Sequence, residues 1–168
     1  VVHNGIIENS TLLKKHLINK GHVFKSQTDT EVITLLITES LKERNPLDSV
    51  YSTLKKLKGS FALGIIFKDF ADIIIGARRG SPLAVGYSNG ENYLGSDSYA
   101  LKSMTNKISY LNDGEFCIIK KDQVEFFDEE GLKVNKKVLE LSSKEQDYDK
   151  GDFKHFMAKE IEEQPTTL

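Results

Sequence analysis

The chain has 168 residues, one ordinary domain's worth, and at that size roughly 70% of the unfolded surface can be buried, enough for a sizeable core. With 39% hydrophobic and 29% charged residues it is globular rather than disordered, and a net charge of −2 gives no bulk attraction for nucleic acid or an acidic membrane. The single cysteine, Cys117, excludes an internal disulfide framework and suits a reducing cytoplasm; no apolar run can span a bilayer, and no signal-peptide pattern opens the chain.

The chain opens on Val1-Val2-His3-Asn4-Gly5-Ile6-Ile7-Glu8-Asn9, an apolar run interrupted by His-Asn-Gly. Two readings stand. Asn-Gly is the strongest short turn signal, so a strand followed by a tight turn is one. The other is an oxyanion site, because the Asn4 amide and the backbone N–H of Gly5 are neighbouring donors of the kind that hold a developing negative oxygen. Ser10 is positioned to cap a helix over residues 11–20, with Leu13 and Leu17 at helical spacing and Gly21 as its stop. Lys14, Lys15 and Lys20 read as a solvated face.

Thr28-Asp29-Thr30-Glu31 has capping-box spacing and predicts a helix to about Glu43, ended by Asn45-Pro46. Asp29 has two readings: a carboxylate favoured by the helix dipole in the first turn, or one poised to bind an ammonium group. Pro46 opens a third helix, with Leu47, Val50, Leu54 and Leu57 on one face and Gly59 ending it.

From Ser60 the period changes to that of strands. Residues 60–67 and 72–77 predict a hairpin; 78–83 interrupt; 84–87 and 93–95 flank Asn89-Gly90, a second hairpin signal. A short helix is expected over 97–104, and strands over 108–111, 115–120, 124–127 and 132–141. Residues 142–151 read as a loop or linker. The last stretch, 152–163, predicts a helix with Phe153, Phe156, Met157 and Ile161 toward a core. Helices first and antiparallel strands later give an α+β class with a pair of sheets. Cys117 and the four scattered histidines show no metal-ligand spacing, so neither metal nor cofactor is expected.

Four stretches carry a family resemblance: residues 1–9; Thr28-Asp29-Thr30-Glu31-Val32; Arg79-Gly80-Ser81-Pro82-Leu83; and His155–Ile161 with Glu163-Gln164-Pro165. In that order and at those intervals the chain resembles the glutaminase domain of the isomerising glutamine–fructose-6-phosphate aminotransferases. These are the glucosamine-forming branch of the class II glutamine amidotransferases. The resemblance implies an N-terminal-nucleophile hydrolase fold, an αββα sandwich of antiparallel sheets. It implies an enzyme that releases ammonia from glutamine and passes it to fructose 6-phosphate, the first step of hexosamine biosynthesis. Carried over by position, Asn4 and Gly5 hold the oxyanion, Asp29 binds the α-ammonium group of glutamine, and His3 has a positioning role only. Gly80–Leu83 reads as a structural turn.

The same resemblance divides the chain into a glutaminase domain over 1–151 and an exit helix with the start of a linker over 152–168. The partners it implies are glutamine and a sugar isomerase domain of the same parent chain, in a cytoplasmic homo-oligomer. The sequence opens on Val rather than Met inside an apolar run and ends at Pro165-Thr166-Thr167-Leu168, and reads as cut from a longer protein. The family's nucleophilic cysteine and carboxylate-binding arginine segment have no match here. Cys117, inside an expected strand, cannot replace that cysteine, so the fragment alone is expected to be inactive. Missing strands would leave sheet edges unpaired and favour self-association. The alternatives are another class II amidotransferase, such as the purine-pathway phosphoribosyl enzyme, and a non-catalytic scaffold module.

Overall fold

Side-chain alternation along one long strand sets the layering of the molecule. The structure, a computed structural model, describes residues 1–141 and 153–167. In β2 (Gly59–Phe67), Phe61, Leu63 and Ile65 face one way, and Ala62 faces the other. The first set packs under three helices: α1 (Ser10–Asn19), α2 (Asp29–Ser40) and α3 (Pro46–Leu54). Leu17, Ile33, Leu36 and Val50 meet Phe61, Leu63, Ile65, Ile75 and Phe116 there. On the other face Ala62, Cys117, Ile119 and Phe126 meet Val85 of a second sheet and Leu83, just before it.

The first sheet is antiparallel and has six strands in the order β1 (Val2–Ile7), β2, β3 (Phe70–Arg79), β7 (Phe116–Ile119), β8 (Val124–Phe127) and β9 (Lys133–Val134). The second has the order β10 (Leu139–Glu140), β6 (Lys107–Tyr110), β4 (Ala84–Ser88) and β5 (Glu91–Gly95). Along β4, Val85 points into the space between the sheets, and Ala84 points outward to Leu101 and Ile108. Leu101 belongs to α4 (Ser98–Leu101), which forms the fourth layer among the described residues. The arrangement is helices, sheet, sheet, helix: the αββα sandwich that the family resemblance implies.

Several boundaries differ from expectation. Asn9, not Ser10, occupies the cap position of α1, because its carboxamide is engaged across the fold: Nδ2 donates to Lys56 O (2.8 Å) and Oδ1 accepts from Lys58 N (3.0 Å). The spacing at Thr28–Glu31 does not form a capping box. Thr28 makes no side-chain cap, and Glu31 instead accepts from Lys25 N (2.8 Å) and Ser26 N (2.6 Å), clasping the loop before the helix. α2 ends at Ser40, and residues 41–43 form turns. Arg78 and Arg79 complete β3 rather than interrupting it.

The single strand expected over 132–141 is two short ones in different sheets. Between them Lys136 Nζ reaches Glu115 Oε2 (2.5 Å) and Lys137 O accepts from Ser109 Oγ (2.9 Å), so the chain crosses between the sheets there. The final helix, α5, runs Phe156–Thr167. The core-facing assignment is corrected: Phe153, before the helix, and Met157 and Ile161 on it are exposed. The linker expected over 142–151 lies outside the described residues.

Candidate functional site

β1 is an edge strand, and it does not turn at Asn4-Gly5. Pairing with β2 runs unbroken from Val2↔Gly64 to Ile7↔Gly59, so the six-residue register overrides the local turn preference of Asn-Gly. Gly5 departs from the regular pleat, with φ at 133°. A Cβ at this position would lie 2.1 Å from Ser60 O, so no other residue fits without displacing the neighbouring strand. Asn4 and Gly5 are both exposed, and the Asn4 carboxamide makes no hydrogen bond to another described residue. It remains available, beside a glycine backbone, to any group that approaches the strand edge.

Asp29, the first residue of α2, is brought to the same strand across 22 positions of sequence: its Oδ2 accepts from Ile7 N at 2.8 Å. The following N–H, that of Glu8, turns the other way to Lys58 O (2.9 Å), as strand alternation requires. Asp29 therefore caps the free edge of β1 two residues beyond Gly5. Its side chain stays 27% exposed, which leaves carboxylate surface for a ligand. The loop leading to it is fixed by Glu31, whose carboxyl is held below its usual range by the Lys25 N–H and then by the Ser26 hydroxyl.

His3 lies on the opposite face of β1 from Asn4. Its ring is buried, with Nδ1 3.2 Å from Thr30 Oγ1 and 3.6 Å from Asp29 Oδ1. Thr30 was not singled out from the sequence, and its partner is 27 residues away, so no local pattern reports the contact.

The Gly80–Leu83 segment forms the turn assigned to it. Gly80 has φ at 77°, its N–H donates to Asp113 Oδ1 (2.5 Å), and the Ser81 hydroxyl lies 3.3 Å from that of Ser60. Ser60 in turn backs Gly5, so this turn supports the strand that carries the exposed donors. Asp113 and Ser60 also escaped the sequence reading.

Cys117 is fully buried between the sheets, and burial pushes its thiol up to about 12. Among the described residues no group of three or more His, Cys, Asp and Glu side chains could hold a metal ion, and no helix is long and apolar enough to cross a membrane. A cavity on the second sheet, lined by residues including Tyr87, Asn89 and Thr105, shares none of its lining with the site on β1.

The fold has a defined class. The family model described as a glutamine amidotransferase domain matches residues 1–103, and the chain belongs to that family. Over its whole length the chain is 47% identical to the isomerizing glutamine–fructose-6-phosphate aminotransferase of Zymomonas mobilis. It is 47% identical to the protein of the same name from Mesorhizobium japonicum and 45% to that of Caldanaerobacter subterraneus. The chain spans 28% of the length of each of these curated relatives. Among solved structures it is similar to a glutamine phosphoribosylpyrophosphate amidotransferase from B. subtilis complexed with ADP and GMP. The TM-score is 0.64 and the identity 31%, over 76% of this chain and 28% of that one.

Proposed function

We propose that residues 1–151 are a glutaminase domain and that 152–168 are the exit helix and the start of a linker to a sugar isomerase domain. In the parent enzyme, ammonia released from glutamine would convert fructose 6-phosphate to glucosamine 6-phosphate. The observation that carries the reading is the convergence on β1 of an unengaged Asn4 amide, the off-pleat Gly5 and the Asp29 carboxylate tied to Ile7 N–H. The full-length identity to the isomerizing aminotransferases, 47% against 31% for the phosphoribosylpyrophosphate enzyme, favours the sugar branch.

In this reading Asp29 receives the α-ammonium group of glutamine through a charge-assisted hydrogen bond. A thiolate attacks the side-chain amide carbon. The tetrahedral oxyanion then forms against Asn4 Nδ2 and the Gly5 N–H, the second of which the strand fixes before the charge appears. Collapse of the intermediate breaks the C–N bond as the nitrogen takes up the proton that the thiol gave up, so ammonia leaves; water then frees glutamate from the thioester and returns the thiol. Cys117 does not supply the thiolate, because it is sealed between the sheets and burial opposes its ionisation. These 168 residues thus provide the oxyanion and ammonium contacts and not the nucleophile. No cofactor enters the chemistry, and the setting is the cytoplasm, with the parent a homo-oligomer.

The test compares the 168-residue chain with the full-length protein. The full-length protein should release ammonia from glutamine and form the amino sugar from fructose 6-phosphate; the 168-residue chain should release none above buffer. Turnover by the short chain would remove the argument about the nucleophile. Ammonia transfer to phosphoribosyl pyrophosphate instead of the sugar phosphate would move the protein to the other branch.

A further inference from the structure

Of the two polar side chains on β1, His3 is the one to which the glutamine reading gives no contact. Its ring is 2% exposed and lies behind the strand, against the first turn of α2. Nδ1 is 3.2 Å from Thr30 Oγ1 and 3.6 Å from Asp29 Oδ1, whereas Nε2 is buried without a partner among the described residues. A proton on Nδ1 has an acceptor in Thr30 Oγ1; a proton on Nε2 has none among the described residues, so the contacts select the Nδ1–H tautomer. Asp29 already gives Oδ2 to the Ile7 N–H. A carboxylate held by one bond still turns about its terminal torsion, which is broad. With its Nδ1–H given to Thr30 Oγ1, the ring sits 3.6 Å from Oδ1, limits that turn by its bulk and dipole, and sets which edge of the carboxylate faces solvent.

We infer that His3 is the positioning residue of the Asp29 carboxylate: through Nδ1 it holds Asp29 and Thr30 in the orientation that receives an α-ammonium group, and so sets the site's preference for substrates that carry one. The inference rests on the reading of Asp29 as the ammonium contact. Asparagine at this position reaches the place of Nδ1, and glutamine reaches the place of Nε2, so the two amide variants separate the two ring nitrogens.

The experiment measures glutaminase kinetics of the full-length protein with glutamine and with 4-carbamoylbutanoate, which lacks the α-amino group. For His3→Gln the KM for glutamine should rise about tenfold, the upper end for the loss of one hydrogen bond, here the one that ties the ring to Thr30 beside Asp29. The preference for glutamine over 4-carbamoylbutanoate should fall by the same factor. His3→Asn should keep both within about twofold of the parent, since an amide restored at Nδ1 restores the contact. Equal losses for the two variants, or losses on both substrates with the preference unchanged, would overturn the inference and leave His3 a packing residue. Asp29→Asn separates the layers: if it leaves the preference unchanged, the ammonium reading itself fails; if it abolishes the preference while His3→Gln does not, only the His3 inference fails. Should the variants not fold, nitrogen-15 NMR of the unsubstituted protein decides, because a protonated Nε2 with a bare Nδ1 contradicts the proposal.

Discussion

Replacing Gly5 by alanine perturbs the site at the point where the geometry is tightest. Gly5 sits at φ 133°, and holding another residue in such a region costs about 1–3 kcal/mol. The new methyl would also lie 2.1 Å from Ser60 O and 2.8 Å from Phe61 Cα. Both are backbone atoms of β2, so relief requires moving β1 away from its partner strand, and overpacking of this kind adds about 1–3 kcal/mol. The sum, about 2–6 kcal/mol, is a large share of the roughly 5–15 kcal/mol that holds a domain together. Gly21 is the control: φ is 89° and nothing lies within 4 Å of an added Cβ, so only the backbone strain, about 1–2 kcal/mol, remains for Gly21→Ala. The assay is urea unfolding of the 168-residue chain followed by far-ultraviolet circular dichroism, with midpoints compared at a common slope. Gly5→Ala should unfold at clearly lower urea than Gly21→Ala. Coincident midpoints would show that φ alone, and not the neighbouring backbone, demands glycine at position 5.

Three further outcomes follow from charges and burial. Hydrogen bonds from Lys42 and then His22 hold the Glu39 carboxyl down to about 2, below its ordinary 4.5. A depressed carboxyl stabilises the fold fully above pH 4.5 and loses that contribution as pH falls toward 2. The melting-temperature difference between Glu39→Gln and the parent should therefore be present at pH 7 and shrink toward nothing near pH 2; a difference that does not change with pH contradicts it. Cys117 should be inert to a thiol-reactive dye in the native chain and react on unfolding in guanidinium; fast native labelling would show that the sheet interface opens. Glu115 is 7% exposed and pairs with Lys136 at 2.5 Å, so Glu115→Gln leaves a cation unneutralised in the interior and should cost about 3–5 kcal/mol in urea unfolding; a cost below about 1 kcal/mol would place the pair effectively in solvent.

The two Asn-Gly pairs show what a local pattern carries. Asn89-Gly90 forms the two-residue turn between β4 and β5, with Gly90 at φ 77°. Asn4-Gly5 remains in a strand, because six paired positions on β2 outweigh a dipeptide preference. The three early helices and the β2–β3 hairpin were legible because period and punctuation agree along each. The alternation at 132–141 was real but could not reveal that β9 and β10 join different sheets. Helical spacing in α5 likewise marks an apolar face without saying what covers it. At the site, residue types were legible and their wiring was not. Asp29 could be read as a helix-start carboxylate, but its bond to Ile7 N spans 22 residues, and the approach of Ser60 to Gly5 spans 55 positions. Such contacts are set by packing and leave no local periodicity.

In the proposed reaction Asn4 and Gly5 stabilise charge in the transition state and Asp29 binds the substrate. Steady-state glutaminase kinetics of Asn4→Ala and Asp29→Asn in the full-length protein test it most directly. Asn4→Ala should lower kcat about 10²–10³-fold with KM for glutamine little changed, the signature of a lost oxyanion donor, and Asn4 and Gly5 are then the groups that stabilise charge. Asp29→Asn should act mainly by raising KM. A parent-like kcat for Asn4→Ala, with the variant folded, would contradict that role.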